Sequence, residues 1–274
     1  MTPVDHEKPP RPKQVLVLSY YHTANFGDRL GYHVLNGIMP ARVELTYATL
    51  NPWAVPDRDY DLLILGIGNS ILPHDACNAD LAALMERVPH TIGIFGTQYR
   101  GLFREGPAAE GLARIIGKLT TWWARYEHDI ALFGAGRSNV RHLGDWLITA
   151  FPMTSPTRDK GLTIPADFIN ESVPLDRAIQ QIQSYPAVSS ARLHPLLCAL
   201  TSAEEVAYQE QRDVPASDEG SGKFASMLID VFGRSFEEGK FFRVDREAVR
   251  RYKAKVTDNV AELRDELARL LEPQ

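Results

Sequence analysis

Cysteine is scarce: Cys77 and Cys198 are the two in 274 residues, far apart and outside any Cys-x-x-Cys or Cys/His cluster. That excludes a disulfide framework and a structural zinc site and suits a reducing cytoplasmic compartment. An excess of positive charge is also missing. Thirty Lys and Arg against thirty-five Asp and Glu leave a formal net charge of −5, which gives no global drive toward nucleic acid or an anionic membrane. Long apolar runs are absent as well. The longest stretches, such as Val15–Leu18 and Leu62–Leu65, fall far short of the ~20 residues that span a bilayer, so any membrane association is peripheral or through a partner, with the inner face as its expected place. Residues 1–13, polar and carrying four prolines, precede no apolar h-region of a secretory signal and read as a disordered arm. Gly-x-Ser-x-Gly and His-Glu-x-x-His do not occur, which removes support for a serine hydrolase or a zinc protease. Hydrophobic residues at 44% and charged residues at 24% match globular usage and exclude disorder of the whole chain.

What remains is a repeated alternation of short β-branched runs and amphipathic segments. Gln14–Tyr20, Val43–Tyr47, Tyr60–Gly66, Thr91–Phe95 and Val140–Leu143 read as strands, with Trp122–Arg125 as a strand edge. Arg29–Ile38, Asp80–Val88 and Gly111–Trp123 carry apolar residues at helical spacing. This alternation predicts an open parallel α/β sheet, with ligands at the carboxyl ends of its strands. Phe151–Lys160 has the composition of a linker, so the boundary falls between residues 152 and 153. The chain then divides into 1–13, 14–152 and 153–274. In the last part, Gly161–Ala166 and Ala187–Ser190 are predicted strands and Leu175–Tyr185 a helix; another begins at Pro195. Val214–Gly222 is a polar loop, and Arg246–Leu271 is a charged amphipathic helix packing back across the molecule.

Three glycine-bearing segments follow predicted strands and are expected to face one crevice: Asn25-Phe26-Gly27-Asp28, Gly66-Ile67-Gly68-Asn69-Ser70 and Phe95-Gly96-Thr97-Gln98. The second is neither GxGxxG nor a P-loop, so a dinucleotide fingerprint is not supported. Ser190-Ala191-Arg192-Leu193-His194 is the most informative run, because a strand end delivers a hydroxyl, a guanidinium and an imidazole to a helix N-terminus. Backbone N–H groups and Arg192 suit an anion there, and His194 can exchange a proton near neutrality. The alternatives are structural: Arg192 pairing with a buried carboxylate, His194 and Asp28 capping helices, Gly96 making a turn, and Arg125 punctuating a core strand. Trp122, Trp123 and Cys198 read as core. No metal site is read from the sequence.

Taken in order, NFGDRL (Asn25–Leu30), GIGNSIL (Gly66–Leu72), FGTQYRG (Phe95–Gly101), Arg125 with Asp129, LGDWLITAFP (Leu143–Pro152) and SARLH (Ser190–His194) resemble the polysaccharide pyruvyl transferase family over residues 14–230. The resemblance implies two Rossmann-like halves of GT-B type, the C-terminal half reduced. It implies transfer of pyruvate from phosphoenolpyruvate to sugar hydroxyls as a ketal, in surface polysaccharide synthesis, with the acceptor lipid-linked or nucleotide-linked and no further cofactor. It places Arg192, Leu193 and His194 at the phosphoenolpyruvate, with Arg125 adding charge. His194 becomes the proton donor, Arg192 the anion clamp and Asp28 a base for the acceptor hydroxyl; Asn25, Gly27, Gly66, Gly68, Asn69, Ser70, Gly96 and Ser190 line the substrates. Gln211 stands where a Tyr-x-x-Lys pattern often carries its lysine after Tyr208, and Lys223 is the substitute. The competing readings are a GT-B-like glycosyltransferase using a nucleotide sugar and a non-catalytic protein that binds an anion or a sugar.

Overall fold

A computed structural model describes residues 11–20, 25–67, 70–166, 172–212 and 220–272. Residues 13–142 supply a six-stranded sheet: β1 (Lys13–Ser19), β2 (Val43–Thr49), β3 (Leu62–Leu65), β4 (His90–Gly93), β5 (Thr121–Ala124) and β6 (Val140–His142). Every pairing in it is parallel, in the order β2-β1-β3-β4-β5-β6. The order reverses between β1 and β3, and such a switch point opens a crevice outside the carboxyl ends of the strands. A smaller sheet follows. It contains β7 (Gly161–Ile164), β8 (Ala187–Ser190), β9 (Glu205–Tyr208) and β10 (Phe242–Arg243) in the order β10-β9-β8-β7, parallel except for the antiparallel edge strand β10.

The burial of β1 shows why near-continuous apolar runs became interior strands. Val15 and Val17 point into a core that continues through the second sheet to the C-terminal helix, whereas Leu16 and Leu18 point to the opposite face, where Leu63, Leu84, Leu112 and Ile116 pack. The first core contains Leu196, Leu200, Val206, Leu263 and Leu267, so the two sheets are joined by apolar packing.

The helices begin where side chains satisfy free N–H groups. In α1 (Phe26–Ile38), Asn25 accepts from the Asp28 N–H at 3.1 Å and donates back to the Asp28 carboxylate. The cap is Asn25; Asp28 is its partner on the first turn, which corrects the reading of Asp28 as the cap. Asn78 caps α2 (Ala79–Arg87) through the N–H groups of Asp80 and Leu81. α3 (Gly106–Lys118) starts and ends earlier than its sequence pattern indicates. Its tail, Thr121–Ala124, is β5, an interior strand between β4 and β6 and not an edge: the two tryptophans are apolar in either conformation, and burial in the sheet decided.

α4 (Leu175–Gln183) and α5 (Leu193–Leu200) flank the second sheet. α6 (Lys223–Phe232), absent from the sequence reading, starts after Gly222, whose φ of +71° a side chain would strain. α7 (Arg246–Leu271), capped by Asp245, crosses back to the first sheet. There Glu266 accepts from the Thr121 hydroxyl and from Trp123 Nε1 at 2.7 Å. The linker is similarly tied: Phe151 is buried, Lys253 donates to its carbonyl, and the Thr154 and Thr157 N–H groups donate to Thr201 and Ser184. Among the described residues, no helix is long and apolar enough to cross a membrane.

Candidate functional site

The loops after β1, β4, β5, β6 and β8 bring chemistry-bearing side chains together at the carboxyl ends of the strands. At the centre is His194, on the first turn of α5. The Ser190 hydroxyl shapes this turn by accepting from the Arg192 N–H at 3.0 Å and donating to the Arg192 carbonyl at 2.8 Å. Leu193 is buried in the core. Both residues therefore position the turn rather than present a group to a ligand.

Gly27, on the first turn of α1, lies directly against the His194 ring. A β-carbon built there overlaps Nδ1 and stands 2.7 Å from Cε1 and 2.9 Å from Cγ. The α1 glycine is what allows the two helix N-termini to meet. On the other side of the ring, Nε2 faces Asp145 Oδ2 at 3.7 Å. Asp145 is fully buried, and its N–H donates to the Tyr252 hydroxyl of α7 at 2.7 Å. His194 Nε2 and Arg192 Nε are buried without a hydrogen-bond partner among the described residues, and the buried Asp145 carboxylate has only the Leu147 backbone N–H nearby as a hydrogen-bond donor to offset its burial. Buried orphans of this kind are uncommon and concentrate where a ligand or a proton is handled.

The charge of Arg125 acts on both members of this pair, and that of Lys223 on His194. Arg125, 3% exposed, lies over the Tyr126 ring at 4.8 Å, and Arg100 approaches the same ring at 5.5 Å. Asp129 anchors Arg100 through Nε at 2.7 Å and also accepts from the Thr97 N–H and hydroxyl at 2.8 and 2.6 Å. Arg100 Nη1 donates to the Gly222 carbonyl at 3.3 Å, linking the first sheet to the start of α6. There Lys223 donates to the Gln211 side chain.

Electrostatics follow from this packing. Burial, then Arg125 and Lys223, hold the His194 imidazole well below its usual proton affinity, so it is neutral at pH 7. Burial raises the Asp145 carboxyl to about 6, against the pull of Arg125. At pH 7 His194 is therefore neutral, whereas Asp145 gains its proton as the pH falls through about 6.

The remaining candidates divide. Gly66, at φ +72°, turns the chain against the Ile94 carbonyl, and Gly96 packs on Tyr126 and Asp129; these are close approaches of protein to protein. Ser70–Ile71 pairs with Gly96–Thr97, drawing together the loops after β3 and β4. Gly68 and Asn69 lie outside the described residues. Asp28 is 5% exposed and bound to Asn25. Arg100 and Asp145 are the residues that the sequence reading did not select; a strand-end Gly-Asp and the arginine of FGTQYRG were the visible signals. Trp122, Trp123 and Cys198 are core residues, and burial pushes the Cys198 thiol well up. Among the described residues, no group of three His, Cys, Asp or Glu gathers as a metal site. A groove of about 560 Å³ opens beside Arg100 and Gly222, with Arg104, His128 and Ser226 on its polar walls and Phe133 on its apolar one.

No protein-family model and no curated protein matches the chain. Among solved structures it is similar to an uncharacterized protein from Klebsiella pneumoniae subsp. pneumoniae, at 15% identity, covering 80% of this chain and 88% of that one, with a TM-score of 0.46. It is also similar to an alpha-glucosyltransferase in complex with UDP and a 13-mer DNA. Two structures of that enzyme give 9% and 8% identity, cover 94% of this chain and 93% and 94% of theirs, and have TM-scores of 0.38 and 0.39.

Proposed function

We propose that the chain is a transferase that moves the pyruvyl group of phosphoenolpyruvate onto two hydroxyls of a sugar as a ketal. The observation that carries this reading is the seating of His194 against Gly27, where the charges of Arg125 and Lys223 act on it, two residues after Arg192. A small trianion with a carboxylate at one end and a phosphate at the other needs several cations at close quarters, and a proton donor beside its methylene carbon. Arg192 is the anion clamp. Arg125 and Lys223 supply further charge, and Arg100 braces the wall between them. Protonation of the methylene carbon makes C2 electrophilic. One sugar hydroxyl adds to C2, the C2–O bond to phosphate breaks, and the second hydroxyl closes the ring. One hydroxyl proton balances the new methyl hydrogen and the other leaves on hydrogen phosphate.

Asp28, hydrogen-bonded to Asn25 beside Gly27, is the candidate base for the first hydroxyl. The groove beside Arg100 has the volume of a small-ligand site and is the assigned acceptor entrance. The test is incubation of purified protein with phosphoenolpyruvate and a panel of lipid-linked and nucleotide-linked sugars, scored for phosphate release and for the ketal by mass spectrometry. Ketal formation that His194→Ala reduces by ~10²-fold or more supports the reading. Release of UDP or GDP from a nucleotide sugar, with phosphoenolpyruvate untouched, overturns it in favour of glycosyl transfer.

A further inference from the structure

The site poses a problem in proton supply. The group placed to protonate the substrate, His194, is kept neutral by burial and then by the charges of Arg125 and Lys223, and a neutral imidazole has a single N–H to give. Its Nε2 faces a buried carboxylate at 3.7 Å and has no hydrogen-bond partner among the described residues, while the carboxylate is drawn on by the Leu147 backbone N–H and by the Arg125 charge. Both groups are fixed. His194 is held by Gly27 on its Nδ1 side. Asp145 is held by the Tyr252 hydroxyl and by Gly144, whose φ of +82° and close approach to Val256 and Tyr252 leave no room for a side chain.

We propose that Asp145 and His194 act as one acid: the carboxyl proton of Asp145 passes to Nε2 as the Nδ1 proton leaves for the methylene carbon of the substrate. The imidazole changes tautomer and carries no net charge at any stage. The π electrons of the enol form the new C–H bond, C2 becomes the electrophile, and the proton that Asp28 takes from the attacking hydroxyl is returned to the pair to reload it. The second hydroxyl's proton departs with phosphate. His194 is the catalytic residue, and Asp145 is a positioning residue that acts through it. This relay rests on the pyruvyl-transfer reading; the pairing itself does not.

The charges around the pair favour this division of labour. Arg125 and Lys223 disfavour a second proton on His194, while burial favours a proton on Asp145 despite Arg125. Asp230 from α6 adds to the same tendency at Asp145, and Tyr126 and Tyr252 face it as neutral phenols. A bound anion offsets Arg125 and Lys223 and so raises the proton affinity of both members. The relay needs the 3.7 Å separation to shorten to hydrogen-bond length, a tightening that catalytic pairs make in their substrate complexes.

The tautomer of His194 reports on the pairing without turnover. An ionised Asp145 accepts from Nε2–H, whereas a protonated Asp145 donates to Nε2 and leaves the proton on Nδ1. Ring nitrogen NMR on the ligand-free full-length protein, from pH 5 to 8, is expected to show neutral His194 switching tautomer with a midpoint near 6. Asp145→Asn is expected to abolish the switch. A single tautomer across that range in the wild type, or a switch that survives in Asp145→Asn, overturns the proposal. The kinetic arm then uses phosphoenolpyruvate and a working acceptor. Asp145→Asn is expected to lower kcat by ~10²-fold with KM for phosphoenolpyruvate little changed, and Asp145→Glu to recover part of the rate. Equal losses in kcat for both variants with an unaltered pH profile overturn the relay. A tautomer switch in a protein that ignores phosphoenolpyruvate upholds the pairing and removes the donor assignment instead.

Discussion

Adding one methyl group at Gly27 is expected to damage the site while sparing the fold. In Gly27→Ala the new Cβ overlaps His194 Nδ1 and stands 2.7 Å from Cε1, where ordinary contact begins at 3.4 Å. The imidazole has to retreat by roughly 1 Å. A displacement of that size in a reacting group costs about 10²-fold in rate, and in ligand affinity a tenfold loss corresponds to ~1.4 kcal/mol. The effect on stability is smaller because two terms oppose. Replacing a helical glycine by alanine gains up to ~1 kcal/mol, and overpacking costs ~1–3 kcal/mol. The expected net loss is about 0–2 kcal/mol, or a few degrees in Tm. Calorimetric titration with phosphoenolpyruvate is expected to show at least tenfold weaker binding (~1.4 kcal/mol), alongside a near-native melting curve. The double-mutant cycle isolates the cause: in a His194→Ala background the ring is gone, and Gly27→Ala should then cost less than ~0.5 kcal/mol. Full affinity in Gly27→Ala, or an undiminished penalty in the His194→Ala background, would refute the contact as the reason for a glycine at this position.

Asp145 also makes stability depend on pH. Its folded carboxyl, raised to about 6 from an ordinary value of 3.8, binds a proton more strongly than in the unfolded chain. Its contribution therefore falls as pH rises from about 4 through 6 and is constant above that, a cost of about 3 kcal/mol. Asp145→Asn should accordingly gain stability relative to wild type at pH 8 and lose that gain at pH 4; urea unfolding at the two pH values decides, and an equal difference at both contradicts the assignment. Removing Glu266 strands two donors beneath α7, Thr121 Oγ1 and Trp123 Nε1. Glu266→Ala is expected to cost about 3 kcal/mol in chemical denaturation, and a loss below ~1 kcal/mol would show that α7 is held by its apolar face alone.

The fold was legible in proportion to how strongly local pattern and burial agree. Ala187–Ser190 and Arg246–Leu271 form the elements that their sequences indicate, because a short β-branched run and a capped, strongly amphipathic segment each have one stable solution. Thr121–Ala124 was obscured because tryptophan pairs suit a helix face and a buried strand equally. Phe242–Arg243 is too short to carry a period and exists through pairing with β9. In the site, Arg192 and His194 were visible because strand, turn and helix start coincide in one run. Asp145 was not: its importance lies in 3.7 Å to a residue far away in sequence, and spacing along the chain carries no trace of that. Arg100 was hidden in the same way, since its partners Asp129 and Gly222 come from separate elements.

The central claim is that the cations around His194 hold phosphoenolpyruvate. Calorimetric titration of wild type and Arg192→Ala with phosphoenolpyruvate, UDP and GDP at low ionic strength tests it most directly. The account predicts that phosphoenolpyruvate binds the wild type and binds Arg192→Ala at least ~10-fold more weakly, the loss expected for a charge-assisted contact worth ~1.5–3 kcal/mol. Binding of phosphoenolpyruvate that ignores Arg192, or binding of a nucleoside diphosphate alone, would contradict it.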